Sequence, residues 1–246
     1  PLNRKIRSRL KDLEENGAVI SYTPVDITQK KAVEDLIQSI RDEFGTLCGV
    51  IHAAGIVRDN FIIKKTAEEF DEVLAPKVAG LVNLGQACRE LPLDFFVVFS
   101  SIAGIFGNQG QADYATANAF MDAYLQGPLT AKNQWGRILS LNWPLWKDGG
   151  MRMAPGMVEI LRQATGMTPL ETDDGIRAFY LSLAAPEGQI MVLQGDLIQL
   201  RRLAGLRHPA PDDEFYEAMV KKIAGGEISL EQVEAMLFLS AGGYHE

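Results

Sequence analysis

Short, almost uninterrupted apolar runs recur along the chain: LCGVIHA at 47–53, DFFVVFS at 94–100, RILSLNW at 137–143 and QIMVLQG at 189–195. Segments of helical periodicity separate them. A strand that is apolar at nearly every position is buried on both faces, and parallel neighbours need long crossovers that helices supply. The order therefore predicts an α/β fold with a doubly wound, mostly parallel sheet. AVISYTPV at 18–25, rich in strand formers, is expected to be a fifth strand.

The helical segments carry their own start and stop signals. Ile6, Leu10 and Leu13 share a face over residues 5–16, and Gly17 can end that helix. Val33, Leu36, Ile37, Ile40 and Phe44 form the next apolar stripe, stopped by Gly45. Thr66 and Glu69 have capping-box spacing, and Pro76 is expected to break or bend the helix they open, with helix resuming over 77–91. Further helices are expected over 111–125 and 172–184. From about Lys147 to Pro169 two glycines, a Pro-Gly pair and Met151, Met153 and Met157 interrupt the alternation, which suits a mobile apolar lid or an ordinary surface excursion. After Arg207, HPAPDDE reads as a linker, and 215–237 as two short helices of an appendage. Residues 1–207 would then be one domain and 208–246 an addition to it.

Composition narrows the function. Of 246 residues 47% are hydrophobic, enough for a sizeable core, and the net charge of −8 opposes what a phosphate backbone selects. Nucleic acid is not an expected partner. No apolar run reaches the length of a membrane span, and the charged start lacks a signal-peptide core, so the cytoplasm is the expected compartment. Cys48 and Cys88 read as inert buried thiols, and His52, His208 and His245 are too dispersed for a local metal motif.

Dinucleotide-binding α/β folds open with a strand, a G-x-G-x-x-G turn and a helix that receives the pyrophosphate. The 246 residues contain no such turn; Gly104, Gly107 and Gly110 have the wrong spacing. Either no dinucleotide binds, or the chain begins after its first strands. A different constellation stands out. Ser101 ends a strand, Tyr114 follows thirteen residues later, and Asn118 lies one helical turn beyond the tyrosine. The C-terminal ends of parallel strands are where open α/β sheets bind ligands, and residues four apart share a helix face. These groups can meet on one substrate oxygen.

The run FFVVFSSIAGIFGNQGQADYATANAFMDA resembles the ketoreductase domain of modular polyketide synthases, within the short-chain dehydrogenase/reductase superfamily. His52-Ala53-Ala54-Gly55, Lys77 in LAPKVAGLVNL and Asn142-Trp143-Pro144-Leu145-Trp146 extend the likeness over about residues 1–204. The superfamily pattern has lysine four residues after the tyrosine; here Asn118 stands there and Lys77 comes earlier, an exchange typical of these ketoreductases. The resemblance implies a Rossmann-like fold whose first strands and glycine turn precede Pro1. It also implies catalytic roles for Lys77, Ser101, Tyr114 and Asn118, with NADPH as cofactor. Asp26, Ile27, Ala54 and Gly55, with Tyr114 and Lys77, would contact that cofactor.

The implied reaction reduces a β-ketoacyl thioester, carried on the phosphopantetheine arm of an acyl carrier protein, beside neighbouring synthase domains. Bringing a tyrosine from about 10 to near 7 needs roughly 4 kcal/mol. One cation about 4 Å away supplies that at an effective dielectric of about 20, the role the resemblance gives Lys77. Asn118 would orient water for proton return. Asp59 in IVRDN matches the diagnostic aspartate of B-type domains, which form the D-alcohol, although Arg58 departs from their LDD motif. Phe106 replaces the tryptophan of A-type domains. Met151 and Trp143 join Asp59 and Phe106 as expected substrate or stereocontrol residues, though Trp143 and Trp146 read equally well as core anchors. Asp26 reads alternatively as a turn residue, and His52 as a packed strand end. A catalytically silent, reductase-like docking module is the alternative function.

Overall fold

The computed structural model describes residues 4–127, 130, 133–151, 153 and 156–205. The expected linker and appendage at 208–246 lie outside these. In chain order the elements are α1 (Arg4–Glu15), α2 (Lys30–Phe44), β1 (Gly49–His52), a 3-10 turn (Ile62–Lys64), α3 (Ala67–Lys77), α4 (Ala79–Ala87) and β2 (Phe95–Ser101). There follow α5 (Ala103–Phe106), α6 (Ala112–Gln126), β3 (Arg137–Trp143), α7 (Met157–Thr165), α8 (Thr172–Ala184), β4 (Gln189–Met191) and α9 (Leu197–Leu203). The strands form one sheet in the order β1-β2-β3-β4, every pair parallel. The register sets Ser100 beside Asn142 and Ser101 beside Trp143.

Alternation along β2 divides the core into two layers. Phe96 and Val98 pack against Val33 and Ile37 of α2, Leu81 and Leu84 of α4, and Met121 and Leu125 of α6. Val97 faces the other way, with Leu139, Leu141, Ile190 and Ala178 of α8. Burial on both faces explains why the strands read as continuous apolar runs.

Gly45, at φ 80°, caps α2, and the Thr66–Glu69 capping box opens α3 with both of its reciprocal hydrogen bonds. Pro76 sits in the last turn of α3, and the helix ends at Lys77 before α4 begins at Ala79. Proline has no N–H to donate back along the helix, so the ladder is weakened just where the chain turns.

The expected strand at 18–25 does not form. Those residues are irregular and mostly exposed, Val19 at 94%, and among the described residues β1 pairs only with β2. Strand propensity needs a neighbour to hydrogen-bond, and among the described residues none lies alongside. The final strand is also shorter than expected, ending at Met191, and part of the expected lid is the regular helix α7. Cys88 is buried as expected; Cys48 is exposed, because it precedes β1 at the open edge of the sheet.

Candidate active site

The C-terminal ends of β1 and β2, the last residue of α3 and one face of α6 meet at a single place. Tyr114, Asn118 and Asp122 recur at four-residue intervals on α6, so their side chains share a face. Tyr114 is 8% exposed and packs with Val73, Ala103 and Val57. Its hydroxyl donates to Met151 Sδ at 3.6 Å. Burial raises the Tyr114 pKa and the Asp59 charge adds to that, while Ser101 and Asn118 pull it down.

Lys77 is 3% exposed. Its Nζ donates to the Phe99 carbonyl at 3.2 Å and lies 5.5 Å from the centroid of the Tyr114 ring. Burial pulls this ammonium down to about 8, with Asp122 opposing. The charged form therefore still predominates at pH 7. The sign of this charge favours a phenolate, but burial outweighs it and the Tyr114 pKa is raised, contrary to the expected lowering toward 7. His52, beside it, is buried and pushed down to about 4 by desolvation and by the Lys77 charge, so it is neutral at pH 7. It is a packed strand-end residue.

Beneath these groups runs a buried polar network. Asn142 Nδ2 donates to Ser100 Oγ at 3.0 Å, to the Ser101 carbonyl at 3.1 Å and to Asp122 Oδ2 at 2.8 Å. Ser140 donates to the other Asp122 oxygen, and Ser100 donates to the Asn118 carbonyl at 3.3 Å. Burial raises the Asp122 pKa, against these hydrogen bonds and the Lys77 charge. Asp122 was not among the expected site residues. An acid inside AFMDAYL, eight residues past Tyr114, was the available signal.

Asn118 is fully buried, donating Nδ2 to the Tyr114 carbonyl at 2.7 Å; its Oδ1 has no partner among the described residues. Ser101 Oγ accepts from the Ala103 amide at 3.2 Å. Ala54 and Gly55 are exposed just past β1, and a Cβ on Gly55 would stand 2.8 Å from Lys77 Cε. Any larger residue here would push the end of the lysine side chain aside.

The remaining expected residues divide. Asp59 accepts from Gln111 Nε2 at 2.9 Å, next to the first turn of α6. Met151 reaches Tyr114, while Phe106 ends α5, 38% exposed. Trp143 lies beside Ser101 in the sheet register, with its indole 5% exposed and packed against Phe99 and Trp146. Asp26 Oδ1 accepts from the amide and hydroxyl of Thr28, the geometry of a turn residue. Ile27 packs on Gly80, and Asn83 holds its carbonyl.

The group of residues suits one half of a dinucleotide. A buried ammonium whose described hydrogen bond is a single one, a phenol, and a close-packed glycine at the strand ends fit a ribose and its nicotinamide. The glycine turn that commonly receives a pyrophosphate is not in the sequence.

A parallel, Rossmann-like sheet with serine, tyrosine and a buried lysine at its carboxyl end defines the short-chain dehydrogenase/reductase class. The profile of the KR domain matches residues 1–148, more than half of the chain, and the chain belongs to that family. It is 45% identical over 215 residues to polyketide synthase PksN of Bacillus subtilis (strain 168), covering 86% of this chain and 4% of that synthase. Among solved structures, a ketoreductase domain from the bacillaene assembly line superposes with a TM-score of 0.79 at 41% identity, covering 82% of this chain and 49% of that one. An N-terminal ketoreductase from the macrolactin assembly line gives 0.74 at 42% identity, over 82% and 39% of the two chains. The chain thus spans half or less of the length of these relatives.

Proposed function

We propose that the chain forms the catalytic part of an NADPH-dependent ketoreductase of polyketide biosynthesis. Its substrate is a β-ketoacyl thioester on the phosphopantetheine arm of an acyl carrier protein, within a multidomain synthase. The observation that carries this is a buried, charged Lys77 over the ring of Tyr114, with Ser101 ending the adjoining strand.

NADPH, when bound, supplies hydride to the ketone carbon. Tyr114 donates its hydroxyl proton to the ketone oxygen as that carbon is reduced, and Ser101 holds the same oxygen by a hydrogen bond. Lys77 makes proton donation easier by stabilising the phenolate left behind. Asn118 offers a buried acceptor for a water that returns the proton, and Gly55 keeps the backbone low over Lys77. Asp59, held by Gln111, directs the acyl chain toward the D-configured alcohol.

The test is NADPH oxidation by the complete polypeptide encoded by the gene, with a β-ketoacyl thioester, followed by chiral analysis of the alcohol. Turnover that disappears in Tyr114→Phe with cofactor binding retained supports the proposal. A folded, NADPH-binding wild-type protein that reduces nothing overturns it in favour of a docking module, and an L-alcohol overturns the stereochemical assignment alone.

A further inference from the structure

Lys65 and Asp113 form an ion pair that the chemistry above leaves unused. Lys65 Nζ lies 2.7 Å from Asp113 Oδ2, and each side chain is only 2% exposed. Desolvating two charges consumes most of what their attraction returns, so a pair like this contributes more to geometry than to stability. Its surroundings show which geometry. Lys65 also donates to the Arg58 carbonyl, and Asp113 Oδ1 accepts from the Tyr114 amide at 2.8 Å. The Asn60 amide donates to the Gly110 carbonyl at 2.9 Å, and Gln111 donates to Asp59 at the same distance. These contacts fasten 58–65 to 110–113, on both sides of Asp59 and immediately before Tyr114.

The pair also spans two helices. Lys65 directly precedes Thr66, the N-cap of α3, and Asp113 lies in the first turn of α6. The far end of α3 carries Lys77. We propose that Lys65 and Asp113 are positioning residues: they hold the Asp59 loop and the start of α3 at one fixed place against α6, and so set which face of the ketone is presented. A one-residue slip of the loop would leave both charges buried without partners, so the pair admits a single register. This inference rests on the ketoreductase reading.

The test compares the complete polypeptide with its Lys65→Met/Asp113→Asn variant, which removes both charges and strands neither. The expected result is a folded protein whose KM for NADPH stays within about twofold while the share of the minor alcohol enantiomer rises about tenfold. Lys65→Arg, which keeps the charge, is expected to retain the wild-type ratio. Hydrogen exchange over 56–65 reads the clamp without turnover, with about tenfold faster exchange expected in the double variant. An unchanged enantiomer ratio or unchanged exchange overturns the proposal, and so does loss of the cooperative thermal transition, which would make the pair a stability element. A wild-type protein that forms no alcohol sinks the ketoreductase reading instead, while the exchange result still judges the clamp.

Discussion

Gly55→Ala tests the site through a single methyl group. The added Cβ would stand 2.8 Å from Lys77 Cε and 3.4 Å from Nζ. Carbon contacts become comfortable near 3.5 Å, so the lysine end must retreat by about 0.7 Å. It is the tip of a flexible side chain, and the cost to folding is expected to stay below about 1 kcal/mol. Function has less tolerance, because misplacing a catalytic group by about 1 Å costs up to roughly 100-fold in rate. The expected kcat loss is therefore between about tenfold and 100-fold, with an unfolding midpoint close to wild type. The methyl also displaces solvent near Nζ, which lowers the lysine pKa further and moves the alkaline limb of kcat to lower pH. Steady-state kinetics between pH 6 and pH 10, beside urea unfolding, reads both effects. A well-folded variant with wild-type kcat and an unshifted alkaline limb would refute the idea that Lys77 must lie at this spot.

Lys77→Met is expected to abolish turnover yet raise stability at pH 7. The folded-state pKa of about 8 lies below the ordinary 10.5, so burying the charge costs folding up to roughly 3 kcal/mol at neutral pH. Between about pH 8 and 10.5 the unfolded chain binds more protons than the folded one, so wild-type stability gains with pH and the variant's advantage shrinks; urea unfolding at pH 7 and pH 10 checks the sign. Gly175→Ala places a Cβ 2.2 Å from Trp146 Cη2, whose indole is braced on Trp143 at 4.9 Å. Overpacking of about 1–3 kcal/mol is expected to exceed the roughly 1 kcal/mol gained from alanine's helix propensity, lowering the urea midpoint.

The doubly wound plan was legible because burial on both faces writes itself as apolar runs such as 94–100 and 137–143. Tyr114 and Asn118 were legible from helical spacing, and Lys77 from likeness to a family. Residues 18–25 misled because their composition is that of a strand, whereas strand formation depends on a neighbour that local sequence does not name. Trp143 was ambiguous for a related reason: an indole suits a core as well as a channel, and only packing decides. Asp122 and the Lys65–Asp113 pair escaped notice because their partners are remote in sequence, and a lone charge between apolar residues otherwise reads as a solvated face.

Placing the ammonium on α3 and the phenol on α6 has a mechanical outcome. A lysine one turn beyond the tyrosine would ride on the same rigid rod, and their separation would be fixed by helix pitch alone. Here the gap between phenol and ammonium depends on how two separate rods are packed, and the Lys65–Asp113 contact at their near ends fixes that packing. On the proposed reading, a substitution that shifts one rod against the other would change the acidity of the phenol without touching it.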